Sequence, residues 1–189
     1  MQKVAAPVPD LLVRIKKKAD GSAALSCIRA DGTTTWQQQN GQLGAFFPLH
    51  DLTHFAVESA LGLRDAFYGL VAGGWDLIDF GNAASKGGLP VQAGIAELLV
   101  GFFDLERATG ILFPASDYNA KIQSYYADRA LPVPSFRITD DDVQRIRRAR
   151  AELFARWNEV AAGEALVLEF IRPSREGVAS ADTNRGPVA

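Results

Sequence analysis

Apolar and polar positions change period along this chain, and the change divides it. Leu11, Val13 and Ile15 fall on alternate positions of LLVRIKKK, residues 11–18. That period of two predicts a strand with one buried face. AALSCIRA (residues 23–30) and TTTWQQQ (residues 33–39) read as two more strands. Asp20-Gly21 and Asp31-Gly32 separate the three. Such dipeptides favour tight turns, so the spacing predicts an antiparallel meander.

Beyond Gly41 the apolar spacing becomes helical. Helices are predicted over 48–63, 64–80, 91–108 and 117–130, with a break at GNAASKGGLP, residues 81–90. Residues 131–138 should be extended, because Pro132 and Pro134 disfavour helix before them. Thr139 is a natural N-cap, with Asp142 at the capping-box position. The helix it opens carries Val143, Ile146, Leu153 and Trp157 on one face and is expected to end at Gly163. ALVLEFI, residues 165–171, reads as a last strand that joins the meander. The expectation is an α+β fold: a small antiparallel sheet, from the N-terminal meander plus the C-terminal strand, on a mostly helical middle. One globular domain over 1–171 and a flexible, Pro/Gly/Ser-rich tail over 172–189 complete the reading.

Composition adds bounds. The 189 residues are 48% hydrophobic and 22% charged, with net charge −2. A near-neutral chain gives no electrostatic footprint for nucleic acid. One cysteine, Cys27, excludes an internal disulfide and reads as a small buried hydrophobe. The first ten residues lack the apolar stretch of a secretory signal, and no run is long enough to span a membrane. A cytoplasmic protein is expected. Phosphate loops, dinucleotide fingerprints and the serine elbow are not found.

The chemistry concentrates in FFPLHDLTHFAVE, residues 46–58, which holds both histidines. At i, i+4 on a helix, His50 and His54 share a face and can clamp one ion. Asp51, three before His54, is a candidate third ligand or a catalytic group. Glu58 is eight residues past His50, which is about 12 Å of helix rise, so it suits an orienting or general-base role better than ligation. A further ligand must come from another element, and Asp65, Asp76 and Asp79 are the nearest acids in sequence. Pro48 suits the first helical turn, where the helix dipole favours the neutral imidazole that a metal needs.

The string His50-Asp51-x-x-His54 resembles the HDxxH signature of a helical family of ubiquinone biosynthesis that holds a zinc-type ion. The resemblance implies His50, Asp51 and His54 as ligands. That family's later glutamate would fall at Ala66 here. The His-Asp doublet is also similar to HD-type phosphohydrolases, whose further upstream histidine this chain lacks. A divalent metal, zinc above all, would suit a small metal-dependent hydrolase or lyase acting on a small molecule. Two other readings stay open. The cluster can be a structural network in a non-enzymatic binding or oligomerising protein, or the apolar helices can hold a small molecule or lipid. Arg145, Arg147, Arg148, Arg150 and Arg156 are interleaved with acids, which predicts a solvated salt-bridged face. Tyr118, Tyr125 and Tyr126 are expected in the core.

Overall fold

A computed structural model describes residues 8–39 and 44–174. The expected meander forms as β1 (Leu11–Lys17), β2 (Ala23–Arg29) and β3 (Thr34–Gln39). The last strand, β4 (Ala165–Phe170), pairs with β1, so the sheet order is β3-β2-β1-β4 with every pair antiparallel. Val13 lies opposite Cys27 on one side and Leu168 on the other; Ile15 lies between Leu25 and Leu166. All six side chains are buried, as the alternation requires. Cys27 is one of them, and burial pushes its thiol up to about 12, so it packs rather than reacts.

Five α-helices follow the meander in chain order: α1 (Phe47–Leu61), α2 (Phe67–Ala72), α3 (Val91–Thr109), α4 (Ala115–Ala127) and α5 (Asp140–Glu159). Helix α1 is the hub, packed against α3, α5, α2 and β2. It is buried on nearly all sides, with Leu52, Ala56 and Val57 in the core beside Asp51, Thr53, His54 and Glu58. Pro48 sits in its first turn and Gly62 closes it in the left-handed conformation. Its N-cap is Phe46, which supplies no side-chain cap, so His50 is inside the helix and not before it.

Three boundaries differ from the sequence reading. The helix expected over 64–80 is the six-residue α2, ended by Gly73 and by Gly74 at φ 103°. The expected break at 81–90 is largely occupied by a 3-10 segment, Leu77–Lys86, opened by a capping box between Asp76 and Asp79. Apolar spacing continued through the glycines, but the backbone did not. Helix α5 begins with the predicted Thr139–Asp142 capping box. It stops at Glu159, before Gly163, which instead turns the chain into β4 with its N–H donated to Lys17 O. Arg172, expected to open the tail, is tied down by hydrogen bonds to Asp10, Arg64 O and Asp65. Residues 175–189 of the expected tail lie outside the described residues.

Gly69 in α2 is required by close approach. A Cβ there would overlap the carbonyl oxygen of Arg64 and lie 2.6 Å from its carbon. Gly69→Ala should therefore destabilise the fold by about 2–3 kcal/mol through overpacking, read as a lower urea midpoint.

Candidate metal centre

Two helices bring the polar cluster together. The rings of His50 and His54 lie 4.9 Å apart on α1, at 73° to each other. Helix α3 runs antiparallel beside them and sets one acid against each ring. Asp104 Oδ2 lies 2.7 Å from His50 Nδ1, and Glu97 Oε1 lies 3.4 Å from His54 Nε2. Glu58, one turn along α1, lies 3.3 Å from His54 Nδ1. Donor atoms from His50, His54 and Glu97 all fall within 4.8 Å of one another.

The outer contacts orient this group. Glu58 is fully buried and both its oxygens are engaged: Oε1 by His54, Oε2 by the backbone N–H groups of Tyr68 and Gly69. It fixes the ring of His54 and at the same time caps the start of α2. Asp104 fixes His50 and also pairs with Arg107 at 3.3 Å. Each imidazole thus has its Nδ1 held by a carboxylate, which leaves Nε2 as the atom to bind a ligand.

Exposure is graded. The side chain of His54 is 4% exposed, that of His50 23% and that of Glu97 54%, so the group opens to solvent on the Glu97 side. Burial alone would favour neutral His54. The hydrogen bonds and charges of Glu58 and Glu97 outweigh it and raise the ring to about 10. Burial works against the Glu97 carboxylate too, but His54 outweighs it and holds the acid below its ordinary value.

Asp51 does not join the three donors. Its carboxylate accepts from Gln39 Nε2 on β3 and is buried; burial pushes it up to about 6, against the pull of Gln39 and both histidines. The distant acids proposed from sequence are also elsewhere. Asp65 pairs with Arg172, Asp76 with Arg29, and Asp79 with Lys86. The candidate donor missed by sequence reading is Glu97. One signal for it was present: Glu97 and Asp104 are seven residues apart on one helix face, and between them α3 is wholly apolar.

Compared with known families, curated proteins and solved structures, the chain matches no family model, no curated protein and no solved structure.

Elsewhere, Tyr118 and Tyr126 are core residues, as expected. Arg145 pairs with Asp142 on the surface, but Arg147 and Arg150 turn inward from the face expected to be solvated. The apolar helices are largely packed on one another. The concavity between the end of α1 and the start of α3 measures about 110 Å³, small beside the roughly 300–1,000 Å³ of most ligand pockets. Among the described residues no helix is long and apolar enough to cross a membrane.

Proposed function

We propose that His50, His54 and Glu97 hold a divalent metal of the zinc type, in a small metal-dependent hydrolase or lyase of the cytoplasm. The carrying observation is the donor set with its supports. Two donors about 2.0–2.1 Å from one tetrahedral ion lie roughly 3.4 Å apart; His54 Nε2 and Glu97 Oε1 lie 3.4 Å apart already. Two histidines and one carboxylate make a three-ligand set of the kind that leaves a position open in catalytic zinc sites. The ion would supply Lewis acidity at the solvent-facing mouth. The chain's own part is positional: Asp104 and Glu58 hold the two rings, and half-exposed Glu97 leaves the site accessible. The resemblance of His50-Asp51-x-x-His54 to a zinc signature supports the two histidines. Asp51, which that resemblance makes a ligand, is better read as a buried partner of Gln39.

A second reading has its own support. An imidazolium at His54, bridged by Glu58 and Glu97, needs no ion and would serve as a structural network. Metal analysis of untagged protein separates the two. Stoichiometric metal is expected, its affinity rising with pH because the ion must displace a proton from His54. Glu97→Gln should lower the affinity at least about 100-fold, since it removes a ligand outright while altering a half-exposed side chain. Asp51→Asn should keep the metal. Substoichiometric binding under every divalent ion supplied would leave the structural network as the reading.

A further inference from the structure

Arg150 is a buried charge without a close ion-pair partner among the described residues: Asp104 and Glu106 act on it only from a distance, and burial outweighs them. It is 7% exposed, on the face of α5 turned toward α1 and α3. Its Nε donates to Thr53 Oγ1 at 3.2 Å and its Nη2 to Phe103 O at 3.1 Å. Both acceptors are neutral. The rings of Phe103 and Phe154 each lie 5.1 Å from its Cζ. Among the described residues no carboxylate forms an ion pair with it, and its only hydrogen bonds are those two. A buried ion satisfied only by neutral groups is costly, and the usual compensation is a counter-charge.

The surroundings show where a counter-charge fits. Arg150 lines an open concavity of about 300 Å³ with Arg107, Arg147, Glu106, Leu112 and Phe154. Arg147 is matched by Glu106, and Arg107 by Asp104, which it shares with His50. Three guanidinium groups therefore face two carboxylates, and the surplus belongs to Arg150. Leu112, 67% exposed, adds an apolar wall with Phe154.

We infer that this concavity binds a small organic oxyanion, its carboxylate or phosphate group on Arg150 Nη1 between Arg107 and Arg147, and its apolar part against Leu112 and Phe154. The planar guanidinium matches two oxygens of such a group, and the flanking rings hold its plane fixed. The site does not depend on the metal reading.

The test uses the full chain stripped of metal by a chelator that is then dialysed away, so a failed metal centre cannot mask the result and no chelator carboxylate competes. Inorganic phosphate and benzoate are each titrated at constant ionic strength, with sodium chloride as the balancing salt. Saturable heat and a rising melting temperature are expected with at least one, and which one responds separates phosphate from carboxylate recognition. Leu112→Glu changes only an exposed side chain and supplies an internal carboxylate. It should weaken the anion at least about tenfold, with melting no lower than the parent's. Arg150→Met should abolish binding and, without anion, melt no lower than the parent if it folds. Anion effects no larger than those of chloride would overturn the proposal, as would parental affinity in Leu112→Glu.

Discussion

Glu58→Ala is expected to destabilise the fold by about 3–5 kcal/mol, roughly 6–20 °C in melting temperature for a chain this size. Glu58 has no exposure to solvent and serves three donors at once. Its removal leaves His54 without its Nδ1 partner and strips Tyr68 and Gly69 of the acceptor for their N–H groups. Water cannot replace the carboxylate there without opening α1 from α2. The charge matters as well as the acceptor: Glu58 and Glu97 raise His54, and although burial raises Glu58, His54 and the Tyr68 and Gly69 N–H groups pull it back toward the charged form. Glu58→Gln keeps an acceptor oxygen and should cost less than the alanine. Thermal melts of the two variants beside the parent check the order; equal, small losses in both would show that the contact carries little.

Glu106→Gln should cost about 2–4 kcal/mol, somewhat discounted from a fully buried pair because the Arg147 side chain keeps 16% exposure. Glu106 accepts from Arg147 Nε at 3.1 Å, from Arg147 Nη2, and from the Phe113 N–H at 3.0 Å. A glutamine would turn an N–H₂ group toward the guanidinium in place of one oxygen. This effect has a pH signature. Burial disfavours the Glu106 carboxylate, but Arg147 and the Phe113 N–H overcome that and hold it below its ordinary 4.5. A group with a lowered folded value contributes fully above its unfolded value, and the contribution drains away as pH falls through the folded one. The parent and Glu106→Gln should therefore differ most at neutral pH and converge below about pH 4.5. Urea midpoints measured from pH 7 down to 3 show the convergence; a constant gap would mean that the charge of Glu106 is not what stabilises.

The legible parts of this protein were those written in local signals. Alternation at Leu11, Val13 and Ile15, the two Asp-Gly turns and the Thr139 capping box each act over a few residues, and each gave the element observed. The histidine pair was legible for the same reason, since i, i+4 spacing is helix geometry. Glu97 was not, because its partnership with His54 exists only once α3 lies antiparallel to α1. Arg150 was hidden differently. Arg148 and Glu152 lie two residues to either side of it, so α5 read as a solvated face, and only the packing of α5 turned Arg150, like Arg147, inward. The end of α2 was missed in a third way, since apolar spacing persisted across Gly73 and Gly74, where the backbone turned.

The pairing of β1 with β4 sets an order on biosynthesis. β1 and β2 can zip together as soon as they leave the ribosome, but the other edge of β1 waits for a strand made almost 150 residues later. At 5–20 residues per second that wait lasts roughly 7–30 s. For that time the nascent chain carries an open strand edge able to recruit a neighbour on the same polysome. Lys16, Lys17 and Lys18 crowd one end of that edge. Their mutual repulsion between copies would guard the nascent chain against mispairing, a duty that ends when Ala165–Phe170 arrives and Lys17 is held by the carbonyl and ring of Trp157.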